Sequence, residues 1–115
     1  MDRLIELGQL FDYYGAFLTE RQRGLVEAYA NDNLSLGEIA EQEGISRQGV
    51  HDTISRTEAI LRGMEEATGC LRQAEAMRRL CAEVEAAAQP LLHHEDPTVR
   101  QCAGRIFAAV SSVKE

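Results

Sequence analysis

The chain is poor in residues that interrupt helices or cross-link a fold. Its 115 residues include only two prolines, and its nine glycines are dispersed, so we expect an all-α protein with short connections and no strands. Three cysteines, Cys70, Cys81 and Cys102, form an odd set without a CxxC pair. This pattern argues against a disulfide framework and a zinc site. We expect reduced, mostly buried thiols in a cytoplasmic protein that has no metal and no cofactor.

Long apolar runs and catalytic constellations are also lacking. No apolar stretch approaches the roughly 18–20 residues that cross a bilayer, and the opening MDRLIELGQL does not have the layout of a signal peptide, so we expect no membrane insertion. No nucleophile lies beside a base, and no phosphate-binding loop occurs. His93 and His94, beside Glu95 and Asp96, have metal-binding composition, but without a second ligand cluster we interpret them as a solvated connector. The sequence therefore predicts that the protein is not an enzyme.

Positive charge is scarce as well. Twelve Lys and Arg stand against nineteen Asp and Glu, which gives a net charge of −7. Proteins that bind nucleic acid usually carry a basic face, so the acidic balance disfavours tight binding to bulk DNA. A local basic stripe is still compatible with this balance, because salt screens the attraction to phosphates over about 8–10 Å.

Apolar residues recur at helical spacing from the start of the chain. A first helix, ended by Gly15, is predicted from the residues of its apolar face: Leu4, Leu7, Leu10, Phe11 and Tyr14. Thr19 and Gln22 form a capping box for a second, short helix. The sequence Asn31-Asp32-Asn33 is typical of a turn.

The next two helices have the sharpest end signals. Ser35 and Glu38 form a second capping box, which predicts a helix from Leu36 to about Glu43. Gly44 suits the left-handed residue that closes a helix. Ser46 is the N-cap of the following helix, whose apolar stripe we predict from its spacing: Val50, Ile54, Thr57, Leu61 and Met64. Gly63 and Gly69 make one continuous helix beyond this stripe doubtful.

These two helices have the spacing of a helix-turn-helix. Ala40 stands where the helices cross, Gly44 in the turn and Val50 where a branched residue clamps the second helix. Ile39, Ile45 and Ile54 supply the supporting core, whereas Glu43 is unusual, because an apolar residue commonly precedes the turn. The alternative interpretation is a packing module of three helices that does not recognise nucleic acid.

The second of these helices, from Ser46 to Arg62, would place its first turns against nucleic acid. Its outward positions are the candidate contacts: Arg47, Gln48, His51, Asp52, Ser55 and Arg56. Arg47 can pair with guanine and Gln48 with adenine, while the free backbone N–H groups near Ser46 can hold a phosphate. Arg21 and Arg23, on the preceding helix, are candidate clamps for the nucleic-acid backbone. The alternative for these arginines is ordinary surface ion pairing.

The C-terminal half is helical by the same criteria. A helix from Cys70 to about Gln89, broken by Pro90, is predicted from its stripe: Leu71, Ala74, Met77, Leu80, Val84 and Ala87. Asp96 and Pro97 then start a last helix, whose apolar side we predict from the same pattern: Val99, Cys102, Ala103, Ile106, Phe107 and Val110.

These stripes bear on domain organisation. We predict a helix-turn-helix domain over residues 1–65 and a helical extension over residues 66–115, with one integrated domain as the alternative. The three stripes on residues 50–64, 71–87 and 99–110 offer more apolar surface than one small bundle needs. We therefore expect a homodimer formed mainly through the extension, the alternative being that its helices fold back on the N-terminal core.

The stretch from about Leu10 to Leu61 resembles the YlxM family. The match rests on the string LFDYYGAFLTERQRGLVEAYANDNLSLGEIAEQEGISRQGV and on the SRQ-V-D-I-RT pattern that runs through Thr57. Gly49 and His51 depart from the family's pattern, which has an alanine and an aromatic residue there. The core is also similar to region 4 of bacterial sigma factors.

YlxM proteins are associated with the signal recognition particle pathway. The resemblance therefore implies a non-enzymatic accessory or regulatory protein of that system, with the particle's RNA or its GTPase as a partner. A dimeric, sequence-specific transcriptional regulator that binds DNA is the alternative function.

Overall fold

The computed structural model describes residues 2–114, and all regular structure among them is helical. The all-α prediction is confirmed. The chain order of the α-helices is α1 (Asp2–Tyr14), α2 (Glu20–Val26), α3 (Leu36–Glu43), α4 (Arg47–Thr68), α5 (Cys70–Ala88) and α6 (Pro97–Lys114). Shorter turns of 3₁₀ helix cover Gly15–Phe17 and Gln89–His93, and a π-helical turn covers Glu27–Asn31. Within residues 2–114, no helix combines the length and apolar character needed to cross a membrane.

The chain forms two compact units, Met1–Leu71 and Arg72–Glu115. The position after residue 65, where we predicted a domain boundary, lies inside α4. This helix continues through Gly63 and ends only at Gly69, whose φ of 64° is in the left-handed region. Gly63 is exposed on a helix surface, where glycine weakens a helix by about 1 kcal/mol without breaking it.

Local side-chain chemistry sets the helix ends. Both predicted capping boxes are confirmed: Thr19 Oγ1 accepts from the Gln22 backbone N–H at 3.2 Å and Ser35 Oγ from that of Glu38 at 3.1 Å. The Gln22 and Glu38 side chains reach back to the two cap N–H groups at 3.0 and 2.9 Å. Each box satisfies two N–H groups that a helix start leaves without an intrahelical partner.

The first unit closes a core of large side chains from α1 to the start of α5. The buried members are Leu7, Leu10, Tyr14, Leu18, Leu25, Val26, Ile39, Ala40, Val50, Ile54, Leu61 and Leu71. Helix α1 runs alongside α4 in the same direction, because Arg3 contacts Glu58 near one end and Tyr14 contacts Glu65 near the other. The core therefore fixes α4 along most of its length.

Tyr14 anchors the junction between α4 and α5. Its hydroxyl donates to Glu65 Oε1 at 2.6 Å and lies 2.8 Å from Thr68 Oγ1. The same Glu65 oxygen accepts from the Leu71 backbone N–H at 2.9 Å. Burial, followed by the hydrogen bond to Glu65, raises the pKa of Tyr14. This cluster satisfies a backbone donor at the start of α5.

The second unit is built differently. Among its described residues, those that are fully buried are all small: Cys81, Ala88 and Ala103. Our expectation of mostly buried cysteines is wrong, because Cys70 and Cys102 are exposed and only Cys81 is buried. The predicted apolar stripe of α5 is buried only in part: Leu71 is buried, but Met77 and Leu80 are 45% and 54% exposed.

The histidine pair belongs to the start of α6. His94 Nδ1 accepts from the Asp96 backbone N–H at 3.0 Å, and Asp96 Oδ1 accepts from that of Thr98 at 2.9 Å. Arg100 donates to the backbone carbonyl of His94 at 2.8 Å. In the described part of the chain, no group of three or more His, Cys, Asp and Glu is placed to hold a metal ion.

Candidate nucleic-acid interface

The turn between α3 and α4 has helix-turn-helix geometry. Gly44 adopts φ 68° and ψ 30°, and the Ile45 backbone N–H donates to the Ala40 carbonyl at 3.1 Å. This bond and the left-handed glycine close α3 in a Schellman motif. Ser46 Oγ then accepts from the Gly49 N–H at 2.9 Å and starts α4. The connection between the two helices is therefore only three residues long.

One face of α4 is fixed in the core. Val50 and Leu61 are completely buried and Ile54 is 5% exposed. Thr57 is also buried, and its hydroxyl donates to the Thr53 carbonyl at 2.7 Å. Side chains that face away from this stripe are held on a rigid helix, as a surface that binds through a few well-placed groups requires.

Most of the sequence-predicted contacts lie away from the buried stripe or along its edges, whereas Arg47 lies on the side of Val50 and Ile54, at the exposed start of the helix. Arg47, Gln48, His51 and Arg56 are exposed, together with the cap residue Ser46, whereas Asp52 and Ser55 are half-buried. These residues lie within the first three turns of α4, and Ser46, Arg47 and Gln48 are next to the backbone N–H groups at its start. An anion is favoured at this end of a helix.

Arg47 leans towards α3. A Cβ atom built on Gly37 would lie 3.7 Å from Arg47 Nε, in ordinary van der Waals contact. The guanidinium group therefore covers the first turn of α3 instead of extending straight out from α4.

Asp52 organises the centre of the surface. Its Oδ1 accepts from Gln48 Nε2 at 2.8 Å and lies 3.5 Å from His51 Nδ1. The hydrogen bond from Gln48, then that from His51, lowers the pKa of Asp52, and the charge of Arg56 acts in the same direction. Gln48 is thus held along the helix by Asp52.

The two arginines of α2 stand apart from this cluster. Arg21 and Arg23 are exposed on α2, which packs against α4. Within residues 2–114, neither makes a hydrogen bond or an ion pair with the exposed face of α4. Arg23 lies in the last turn of α2, where a cation also complements the helix dipole.

Sequence reasoning missed the ionic cluster beside the candidate surface. Glu58 is 6% exposed and accepts from Arg3 Nη2 and Arg62 Nε, each at 2.9 Å. Arg62 also lies 3.4 Å from Glu6. The hydrogen bond from Arg3, and then that from Arg62, lowers the pKa of Glu58. The signal for this site was an acidic residue on the same helical face as Ile54 and Leu61.

A pocket of about 260 Å³ adjoins the candidate surface. It shares His51 and Ser55 with that surface, and its complete lining is Arg3, Leu4, Leu7, Tyr29, Leu36, His51, Ile54, Ser55 and Glu58. Four of the lining residues are aliphatic, and the ion pair of Arg3 with Glu58 also lines the pocket. Arg3 and Arg62 are engaged by carboxylates, whereas Arg47 and Arg56 are exposed within the first three turns of α4.

Comparison with known proteins agrees with this geometry. Residues 1–96 match the family model UPF0122, which describes helix-turn-helix proteins of the YlxM/p13-like type. The chain belongs to the UPF0122 family. The resemblance seen in the sequence is thereby confirmed, and the matched range includes all of α1 to α5 and every candidate contact.

Curated relatives carry the same family name. The UPF0122 protein of Shouchella clausii is 44% identical over 84 residues, which are 73% of this chain and 77% of that protein. The UPF0122 protein of Geobacillus kaustophilus is 45% identical over 80 residues, 70% of this chain and 73% of its own length. That of Desulforamulus reducens is 49% identical over 69 residues, 60% of this chain and 59% of its own length.

Proposed function

We propose that this UPF0122 protein acts by binding and not by catalysis, as a cytoplasmic accessory or regulatory protein of the signal recognition particle pathway. It engages nucleic acid through the first three turns of α4. The observation that carries the proposal is the geometry of this helix: complete burial of Val50 and Leu61 fixes it in the core, while Arg47 and Arg56, on different sides of its first three turns, are exposed. The link to the particle rests on membership of the YlxM-like family.

The charge distribution favours a structured RNA or an RNA–protein partner over bulk DNA. Residues 1–71 contain six arginines and thirteen Asp and Glu, so the helix-turn-helix unit repels a long, uniform row of phosphates. Non-specific binding to DNA depends almost wholly on cationic contacts with the backbone. A partner must therefore fit the small cationic part of the surface, or bring basic groups of its own to the acidic part.

Capture from native lysate at low salt tests this proposal. The wild-type chain is expected to retain the particle's GTPase and its RNA. The double variant Arg47→Ala/Arg56→Ala should lose the RNA. The matched control Arg78→Ala/Arg79→Ala removes the same charge from exposed positions of α5 and should retain it. Absence of both particle components with the wild-type chain would contradict the link to this pathway.

A dimeric regulator that binds specific DNA sequences is the second candidate. The exposed apolar residues of α5 and α6 favour it, because dimerisation would pair two copies of α4. Two recognition helices would then read half-sites about 34 Å apart, and binding would weaken steeply with salt. Selection from genomic DNA should yield a palindromic site if this candidate is correct. Failure to enrich such a site would leave the first proposal in place.

A further inference from the structure

The helices of the second unit each carry two neighbouring apolar stripes, of which one is mostly exposed. In α5 the fully buried positions are Cys81 and Ala88, and in α6 the fully buried position is Ala103. A second stripe lies one residue earlier, at Leu80, Ala87 and Cys102, which are exposed. One residue corresponds to a rotation of 100° around a helix. The second stripe is therefore a separate face.

The spacing of the second stripe is that of a coiled coil. On α5 and the turn that follows, it comprises Met77, Leu80, Val84, Ala87 and Leu91, separated by three and four residues in alternation. On α6 it comprises Cys102, Ile106, Ala109 and Val113, with the same alternation. A repeat of 3.5 residues keeps an apolar seam directed at a partner helix. Of these residues, Leu80 and Val113 are each 54% exposed.

Charge indicates which partner fits. Residues 72–115 contain six Lys and Arg and six Asp and Glu, so a second copy meets no net repulsion at this unit. On each helix, one exposed charged residue directly precedes a first core position of the heptad repeat. These residues are Glu83 on α5 and Arg105 on α6. Such flanking positions form salt bridges between helices and set which helices pair.

We propose that these stripes are the homodimer interface, in which α5 of one copy lies antiparallel to α6 of the other. In this arrangement Glu83 of each copy faces Arg105 of the partner. Pairing of α5 with α5 would instead bring two Glu83 carboxylates together. The proposal names the surface through which the dimer of the second functional candidate forms. It does not depend on nucleic-acid binding, because self-association is measured without nucleic acid.

Sedimentation equilibrium of the full chain tests the interface. The wild type should be dimeric at tens of micromolar, whereas a monomer there would overturn the proposal. Leu80→Glu should abolish the dimer. Ala82→Glu, which adds the same charge on another side of α5, should leave it intact. Equal loss of the dimer in both variants would contradict a seam at Leu80.

Charge-reversal variants leave the apolar stripes unchanged and therefore test which helices pair. Glu83→Arg and Arg105→Glu should each raise the dimer dissociation constant about tenfold, because two attractive pairs become repulsive. An equimolar mixture of the two variants should recover wild-type affinity, since every facing pair is then of opposite sign. Unchanged affinity in the single variants, or no recovery in the mixture, would overturn the pairing of α5 with α6.

Discussion

The two units of the chain reach stability by different means. In the first, large residues such as Leu7, Ile39 and Leu61 have at most 2% of their surface exposed. In the second, the fully buried described residues are one cysteine and two alanines, while Met77, Leu80 and Val113 are exposed. Hydrophobic stabilisation grows with the apolar area removed from water. The first unit therefore buries more apolar area per residue, and the second leaves large apolar side chains exposed.

The largest expected contrast is between two leucines. Leu61→Ala should lower the free energy of unfolding by about 2–5 kcal/mol, because it leaves a cavity in the closed core. Leu80→Ala should lower it by less than about 1 kcal/mol where the chain is monomeric, since over half of that side chain is exposed. Urea denaturation of both variants at low protein concentration measures the difference. Similar losses would show that the second unit has a core of its own.

Removing the charge of the buried carboxylate in the first unit should have the next largest effect on the free energy of unfolding. Glu58→Gln should cost about 1–3 kcal/mol, because it weakens charged hydrogen bonds from Arg3 and Arg62. Its ordinary pKa of 4.5 is lowered in the fold. Its contribution to stability is therefore present above pH 4.5 and is lost as the pH falls through the folded-state pKa.

The pH dependence of unfolding checks this expectation. The wild type should lose stability more steeply than Glu58→Gln as the pH falls below about 4.5. Glu41→Gln, at an exposed position of α3, is the matched control and should follow the wild-type curve. Parallel curves for the wild type and Glu58→Gln would mean that the ionic cluster does not stabilise the fold.

Glu58 also shows where prediction from sequence stopped. Helix ends were predictable, because Ser35 with Glu38, Gly44 and Ser46 act over a few residues of the chain. One partner of Glu58, Arg62, lies four residues on in the same helix, but the other, Arg3, is 55 residues away, and no local pattern identifies that pair. The lean of Arg47 over Gly37 depends in the same way on the packing of α3 against α4.

The periodicity of apolar residues also could not identify the buried face of α5. Both of its stripes have helical spacing, so the pattern predicts a helix without deciding which face is buried. The structure assigns the small residues Cys81 and Ala88 to the buried positions and leaves Met77 and Leu80 exposed. The π-helical turn at Glu27–Asn31 likewise has no signal that we recognised.

The smallest expected contrast is between two glycines. At Gly104, in α6, an added Cβ would meet no atom within 4 Å, so Gly104→Ala should stabilise the chain by about 0.5–1 kcal/mol through helix propensity. At Gly49 the Cβ would lie 3.1 Å from Ser46 Oγ, which crowds the cap of α4. The two effects should nearly cancel in Gly49→Ala. Thermal unfolding measures both, and an equal gain at the two sites would show that the cap adjusts freely.

Binding of the signal recognition particle RNA by Arg47→Ala tests the central claim most directly. If Arg47 contacts a base, the variant should bind the labelled RNA about 5- to 150-fold more weakly, a loss of about 1–3 kcal/mol. Arg47→Lys should recover only part of this loss, because lysine lacks the bidentate fork of arginine. The free energy of unfolding should change by less than about 0.5 kcal/mol. Unchanged binding together with a lower melting temperature would show that Arg47 only joins α3 to α4, and would contradict the proposed interface.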